Sequence, residues 1–289
     1  MDLGETLASG RILLLDGAMG TELDKHGLQG QSDVNQKHPG KVIAIHDAYL
    51  KAGAQAITTN TFLLNRLTHA AVRDKPDLDF LNRVGVALAR EVAGKDHFVL
   101  GGMGPTGRVF DMDPLMNDGA VRAAYMAQAQ VLAEEATDGL IIETMTSLRE
   151  ALLALDACRE VTDKPVIVSM SYYTMNKGIR TLNGDRLSQC AQQLEDGGAD
   201  SVGTNCSKFL MYQMAWVVMA MKTAVERVPI IAQPNAGQPH GEASTYDMIP
   251  EQFADGVELC IDAGATVVGG CCGAGPECIR EVNERIKHL

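Results

Sequence analysis

Short runs of apolar and β-branched residues recur along the chain at intervals that suit strands separated by helices. Most of these runs are continuously apolar rather than alternating, which is typical of parallel strands buried on both faces. The pattern predicts eight strands, at residues 12–16, 56–60, 98–102, 140–144, 166–170, 201–205, 229–233 and 266–270.

Helical patterns occupy the intervals between these strands. Segments 40–54 and 123–139 carry Gly53 and Gly139 near or at their ends, where glycine suits a helix C-terminus, and segment 147–161 carries apolar residues at helical spacing. The C-terminal segment 276–289 begins with proline and carries basic residues toward its end, as helices often do. Strands alternating with helices predict a single (β/α)8 TIM barrel domain over residues 1–289, and a doubly wound open sheet is the alternative.

Composition and charge argue against two classes of binding partner, nucleic acids and membranes. The net charge of -12 argues against a nucleic-acid partner, because phosphate binding needs a clustered basic surface. The apolar runs are far shorter than the ~20 residues of a membrane span. The N-terminus also lacks a basic segment followed by a long apolar stretch, so we expect no signal peptide. These features favour a cytoplasmic protein with no nucleic-acid or membrane partner.

Polar, glycine-rich or cysteine-containing motifs follow seven of the eight predicted strands. They are DGAMGT (16–21), TNTF (59–62), GGMGPTG (101–107), ETM (143–145), TNCS (204–207), QPNAG (233–237) and GGCCG (269–273). The carboxyl ends of barrel strands form the rim where active sites are built, so these motifs predict one site. Residues 104–120 are expected to form a long loop on the same side of the barrel.

The cysteines after two of these strands predict a metal site. Adjacent Cys271 and Cys272 would form a strained disulfide, because neighbouring Cα atoms lie about 3.8 Å apart and disulfides start near 4.4 Å. Flanking glycines free the backbone, so both sulfurs can converge, and Cys206 would add a third sulfur from two strands away. Three thiolates with an open fourth position are typical of catalytic zinc, and buried apolar cysteines are the alternative interpretation.

The remaining cysteines and the histidines do not extend this site. Four cysteines lie in predicted helices and are expected to be core residues, namely Cys158, Cys190, Cys260 and Cys278. No histidine follows a predicted strand, so a histidine-based zinc site is not expected.

Two carboxylates and a glycine-rich turn indicate an amino-acid substrate. Asp16 and Glu143 follow the first and fourth strands, where they could hold an ammonium group, act as acid or base, or cap a helix. The backbone amides of Gly17, Ala18 and Met19 could bind a carboxylate. For Asp16, a simple turn residue is an equally open interpretation.

Together and in this order, the strand-end motifs resemble the homocysteine S-methyltransferase family, over residues from about 10 to 285. The resemblance implies a zinc-dependent (β/α)8 barrel that methylates the thiol of homocysteine to form methionine. It implies Cys206, Cys271 and Cys272 as zinc ligands, and Asp16 and Glu143 as partners of the substrate ammonium group.

Two further residues enter the expected substrate site. Thr61 lies within TNTF and is expected to bind substrate. Asn235 of PNAG is expected to do the same, and the resemblance implies that it can complete the zinc shell when substrate is absent.

The methyl donor is the open question at this stage. Leu63, Leu64 and Thr144 stand where the betaine-using branch carries aromatic residues, and Tyr172 and Tyr173 are simpler to explain by packing. The motifs resemble the methionine-synthase branch, yet 289 residues are too few for folate or cobalamin modules as well. We therefore expect methylcobalamin on a separate corrinoid protein.

Three alternatives remain open. The first is direct use of S-methylmethionine, betaine or another small onium donor. The second keeps the zinc chemistry but changes the acceptor to another small thiol or selenol. The third is a zinc-binding interaction protein without catalysis.

Overall fold

The computed structural model describes residues 1–28, 30–71, 76–110, 112–113, 116–134, 136–239 and 246–288. Eight parallel strands form one sheet, and two short strands form a separate antiparallel hairpin. The strands are β1 (Leu13–Leu14), β2 (Ala56–Thr58), β3 (Phe98–Met103), β4 (Gly139–Met145), β5 (Val166–Met170), β6 (Tyr172–Thr174), β7 (Arg180–Thr181), β8 (Ser201–Asn205), β9 (Ile230–Gln233) and β10 (Ala265–Val268). The order in the sheet is β1-β10-β9-β8-β5-β4-β3-β2.

Backbone contacts between β1 and β2 close this sheet into a barrel. Leu15 forms a parallel bridge with Ala56, and the Asp16 N–H donates to the Ala56 carbonyl at 3.0 Å. The Gln55 N–H donates to the Leu14 carbonyl at 2.8 Å, and the Gln55 side chain accepts from the Leu14 N–H at 2.9 Å. A closed sheet confirms the predicted (β/α)8 barrel and excludes the open-sheet alternative.

Eleven helices accompany the strands in the described parts of the chain. They are α1 (Leu3–Ala8), α2 (Met19–Asp24), α3 (Val34–Lys37), α4 (Pro39–Ala52), α5 (Leu78–Ala93), α6 (Asp118–Glu134), α7 (Leu148–Val161), α8 (Leu187–Asp196), α9 (Met211–Ala224), α10 (Pro250–Asp262) and α11 (Pro276–Ile286). Among these described segments, no helix has the length and hydrophobicity needed to cross a membrane.

The two glycine helix stops have different outcomes. α4 ends as predicted, with Gly53 in the left-handed region at φ 106°. The prediction for 123–139 is wrong at its end, because α6 stops at Glu134 and Gly139 begins β4. A Cβ on Gly139 would lie 2.6 Å from the Leu3 side chain and 2.7 Å from the Pro165 carbonyl oxygen. This glycine therefore allows close packing of a strand.

Two loops also differ from the predictions. The expected loop 104–120 ends earlier, because α6 begins at Asp118, and its residues 111, 114 and 115 lie outside the described residues. The hairpin of β6 and β7 after the fifth barrel strand is not predicted by the sequence pattern.

Apolar side chains cover both faces of the barrel strands. Inward-facing residues such as Leu15, Leu100 and Ile167 form an inner cluster, which Leu3 and Leu7 of α1 join. A larger cluster fills the layer between strands and surrounding helices. This arrangement explains the continuously apolar strand runs, and it leaves the carboxyl ends of the strands to build the site.

Candidate metal and substrate site

A cavity of about 560 Å³ lies at the carboxyl ends of the barrel strands. Six of the seven predicted strand-end motifs contribute to its wall. The chemically distinctive lining residues are Asp16, Gly17, Ala18, Met19, Thr58, Phe62, Glu143, Thr144, Cys206, Gln233, Cys271 and Cys272. The sequence prediction of one shared rim is therefore largely reproduced by the geometry.

The motif GGMGPTG after β3 is the exception. Gly102 donates its N–H to the Thr59 hydroxyl at 2.9 Å, and Gly104 donates to the Phe62 carbonyl at 3.1 Å. A Cβ on Gly104 would lie 2.5 Å from the Phe62 ring. This motif supports the loop after β2 from behind and does not line the cavity.

The three cysteines predicted as metal ligands converge. The sulfur atoms of Cys206, Cys271 and Cys272 all lie within 4.8 Å of one another, and the Cys206 and Cys272 sulfurs are 3.6 Å apart. Within the described residues, this is the one group of three or more His, Cys, Asp or Glu side chains arranged to hold a metal ion. The other four cysteines are buried in helices, as expected.

A tight turn after β10 allows adjacent cysteines to reach one point. The Cys271 N–H donates to the Pro234 carbonyl at 2.8 Å, and the Ala274 N–H donates to the Cys271 carbonyl at 2.9 Å. Gly273 has a φ of 80°, which permits this turn. Gly270 allows close packing instead, because a Cβ added at this position would lie 2.4 Å from Cβ of Ala274.

The cysteine chemistry fits a bound cation. Hydrogen bonds from Cys206 and Cys271 lower the pKa of the Cys272 thiol to about 3. Contacts with Cys206 first and then Cys272, together with burial, hold the pKa of Cys271 well above its ordinary value. The trio thus carries one thiolate readily, and further ionisation needs a positive charge. Zinc binds cysteine as thiolate, so these residues fit that ion.

The side chain of Asn235 is a second feature that fits a cation bound near the cysteines. Its Nδ2 donates to the Ser207 carbonyl at 3.0 Å, whereas its buried Oδ1 has no hydrogen-bond partner among the described residues. The next residue, Ala236, donates its N–H to the Cys272 carbonyl at 2.9 Å. A buried acceptor without a partner is costly, so its position beside the cysteine turn is compatible with a cation there.

The two predicted acids both line the cavity. Asp16 also ties β1 to β2, because its carboxylate accepts from the Thr58 N–H at 2.8 Å and the Thr58 hydroxyl at 3.3 Å. Burial raises the pKa of Asp16 to about 7, against the opposing effect of Thr58. Burial, Asp16 and Cys272 together raise the pKa of Glu143 to about 8. An ammonium ion would favour the ionised form of both groups.

The turn after Asp16 offers fewer free amides than predicted. The Ala18 N–H already donates to the Ala274 carbonyl at 3.1 Å, which corrects its expected role in carboxylate binding. The N–H groups of Gly17 and Met19 have no acceptor among the described residues. The buried Tyr49 hydroxyl lies 3.1 Å from the Ala18 carbonyl oxygen and 3.0 Å from the Ala274 carbonyl oxygen, so its one proton is donated within this pair and holds the turn.

The predicted substrate-binding residue Thr61 lies behind the cavity wall. It is fully buried, and its hydroxyl contacts the Thr59 hydroxyl at 2.6 Å and the Gly102 carbonyl at 2.7 Å. It therefore supports Thr59, which lines the cavity. Asn235 is likewise outside the lining of the cavity.

The aromatic residues near the site differ from the candidates considered in the sequence. Tyr172 is buried in β6, and Tyr173 is half exposed beneath Lys208, so neither lines the cavity. Tyr246 lies beside Cys272, a proximity that no strand-end motif indicates, and burial first and then the cysteine sulfurs raise the pKa of its phenol. A Cβ on Gly273 would lie 2.3 Å from Tyr246, so the absence of a side chain at residue 273 allows Tyr246 to pack there.

The structure is a (β/α)8 barrel in which three cysteines that could hold a metal ion lie beside Asp16 and Glu143. A profile described as homocysteine S-methyltransferase matches residues 13–286. The chain therefore belongs to the homocysteine S-methyltransferase family, which confirms the resemblance and the methyltransferase class.

Curated relatives include two methionine synthases. The protein from Mycobacterium leprae is 31% identical over 97% of this chain and 25% of the relative. The protein from Mycobacterium tuberculosis is 29% identical over 100% of this chain and 26% of the relative. The chain thus spans about a quarter of the length of these relatives.

Solved structures share the barrel fold. The metallated homocysteine methyltransferase MmuM from Escherichia coli superposes with a TM-score of 0.78 at 24% identity, covering 95% of this chain and 96% of that one. The carboxyl transferase domain of Rhizobium etli pyruvate carboxylase has a TM-score of 0.57 at 17% identity, covering 97% of this chain and 48% of that one. At these identities the likeness concerns the fold.

Proposed function

We propose that this protein transfers a methyl group to the thiol of homocysteine and forms methionine. The observation that carries the proposal is the cavity in which three converging cysteine sulfurs lie beside Asp16 and Glu143. Homocysteine offers a thiol for the first group and an ammonium for the second. Family membership supports the same acceptor.

The amino-acid end of the substrate is held by charge and backbone donors. Asp16 and Glu143 line the cavity, and burial raises the pKa of both carboxyl groups. The ammonium group of the substrate supplies a positive charge that favours their ionised forms. The amides of Gly17 and Met19 are available to the substrate carboxylate. Positioning of this kind converts a bimolecular encounter into a nearly unimolecular step.

Cys206, Cys271 and Cys272 would hold zinc, with the partnerless Oδ1 of Asn235 as a further candidate ligand. When bound, zinc supplies a positive charge that lowers the pKa of a coordinating substrate thiol. In the transfer itself, the substrate sulfur forms the new S–CH3 bond. The bond between methyl and donor breaks with its electron pair staying on the donor, and the thiol proton leaves to solvent.

For the donor, we propose a methyl-corrinoid carried by a separate protein. Phe62 is the one aromatic residue in the described lining of the cavity, which gives little support to an aromatic cage for an onium ion. Leu63 lines the cavity and is 39% exposed, so an apolar side chain is available to a docking protein. The methionine synthase relatives, about four times longer than this chain, motivate the corrinoid choice.

A donor panel tests the proposal. Zinc-loaded protein is incubated with homocysteine and methylcobalamin, S-methylmethionine, betaine or dimethylsulfoniopropionate, and methionine is measured. We expect turnover with methylcobalamin, which Cys206→Ser abolishes. Full activity with S-methylmethionine and none with methylcobalamin would overturn the donor assignment. Replacement of homocysteine by other small thiols in the same assay tests the acceptor.

The same panel separates catalysis from a purely binding role. A zinc-binding interaction protein would bind the metal through the three cysteines but form no methionine with any donor. That result would refute the proposed function and leave the metal site intact as a measurable property.

A further inference from the structure

The buried side chain of Asn205 joins the barrel strands β4, β5 and β8 behind the cavity-lining residues Thr144 and Cys271. Its Oδ1 accepts from the Thr144 N–H and the Ser169 hydroxyl, both at 2.8 Å. Its Nδ2 donates to the Thr144 hydroxyl at 2.7 Å and to the Cys271 sulfur at 3.7 Å. Two acceptor sites and two donors are the full hydrogen-bonding capacity of an amide, so every one is used.

Thr144 adopts a backbone conformation that requires such support. Its φ is 63°, in the left-handed region that β-branched residues rarely occupy. The register between β4 and β5 shifts between Ile142 and Met145, around this residue. On a regular strand, consecutive side chains point to opposite faces, yet Glu143 and Thr144 both line the cavity. The left-handed residue explains how they do so.

The other end of the Asn205 amide contacts a predicted metal ligand. Hydrogen bonds donated to a ligand sulfur reduce its electron donation and tune the metal that it binds. One rigid side chain therefore touches both the strand end that presents Glu143 and the sulfur of Cys271.

We propose that Asn205 is a positioning residue that couples the ammonium-binding strand end to the metal-binding cysteine turn. The inference rests on the proposed function for the identity of the two ligands. In this role Asn205 fixes the left-handed turn at Thr144, so that Glu143 enters the cavity. It also holds the Cys271 sulfur at a set distance from that turn.

The test uses Asn205→Leu, Asn205→Asp and the matched control Ser169→Ala. Leucine keeps a similar volume but removes all four hydrogen bonds. Aspartate keeps an oxygen for the Thr144 N–H and the Ser169 hydroxyl but cannot donate to Cys271. Ser169→Ala removes one contact of the same amide on the side away from the metal ligands.

Each protein is loaded with Co²⁺, and the thiolate-to-cobalt absorption band is recorded. Titration of that band with homocysteine then gives the dissociation constant of the acceptor without any turnover. We expect Asn205→Leu to shift the band and to weaken homocysteine at least about 10-fold, on the scale of outer-shell changes at metal sites. Asn205→Asp should shift the band, and Ser169→Ala should match the parent protein in both measurements.

Equal spectra and equal homocysteine affinities in Asn205→Leu and Ser169→Ala would show a merely structural role and overturn the proposal. If Asn205→Leu does not fold, an unshifted band in Asn205→Asp overturns it as well. Failure of the proposed function appears differently, as absence of methionine from parent protein with every donor. In that case the Co²⁺ band still decides the contact between Asn205 and Cys271.

Discussion

The acids and cysteines of the cavity are negative or neutral side chains whose ionised forms a bound cation would stabilise. Asp16 and Glu143 have pKa values raised by burial, and the cysteine trio readily holds a single thiolate. Such groups lower the stability of the protein alone and are useful when ligands bring positive charge. Substitutions of these residues should therefore change the stability of the free protein and its affinity for ligands in opposite directions.

The variant Asp16→Asn tests this opposition between stability and ligand affinity. Burial raises the pKa of Asp16 from its ordinary 3.8 to about 7, so the folded protein holds this proton more tightly than the unfolded chain. Stability from this group is present at low pH and is lost as the pH rises from about 4 to 7. Asparagine should raise the free energy of unfolding above pH 7 by up to about 4 kcal/mol, measured by denaturant titration, and weaken homocysteine binding. Unchanged unfolding at pH 8 would contradict the expectation.

Cys206→Ser tests the metal site at the same scale. Loss of one of three sulfur ligands should reduce zinc affinity more than about 100-fold, because even outer-shell changes cost about 10- to 100-fold. Competition with a chromophoric chelator measures the affinity. Cys278→Ser, in α11 outside the trio, is the matched control and should leave zinc affinity unchanged.

Sequence patterns predicted strands and helices correctly where the local conformational preference of a residue agrees with its tertiary packing. α4 ends at Gly53 as predicted because a left-handed residue stops the helix locally. Gly139 misled the prediction because its role is close packing against Leu3 and Pro165, which lie far away in sequence. The hairpin of β6 and β7 has no strong periodicity of its own and was missed.

His46 makes α4 sensitive to acid. It is fully buried, neither ring nitrogen has a partner in the described residues, and burial lowers its pKa from 6.5 to about 4. The unfolded chain therefore takes up this proton first, and stability is lost as the pH falls from about 6.5 to 4. His46→Met should remove about 2 to 3 kcal/mol of the loss between pH 7 and 4.5, measured by urea unfolding.

The control for this prediction is His26→Gln, which changes an exposed histidine. It should keep the acid sensitivity of the parent protein. An identical pH dependence in His46→Met and the parent protein would refute the role given to His46.

At the scale of the whole molecule, barrel closure brings together residues that are distant along the chain. Cys206 follows β8, Cys271 and Cys272 follow β10, and Asp16 follows β1, which pairs with β10. A metal bound by such residues prefers the folded protein, because the unfolded chain does not hold its ligands together.

Zinc should therefore stabilise the whole barrel. At a free concentration about 100 times the dissociation constant, binding contributes about 2.7 kcal/mol, which corresponds to a rise in Tm of about 4 to 5 °C. Differential scanning calorimetry with zinc and with a chelator measures the rise. Cys206→Ser should lose it and Cys278→Ser should retain it. A zinc-independent Tm in the parent protein would contradict the predicted metal site.

The sequence by itself determined the barrel, the rim motifs and the grouping of Cys206, Cys271 and Cys272, because these follow from short-range patterns and from the parallel direction of the strands. Tertiary structure alone decided that Thr61 supports the wall, that the Ala18 amide is already occupied, and that Asn205 joins Thr144 to Cys271. Hydrogen-bond partners depend on which distant atoms meet after closure, and no local pattern specifies them.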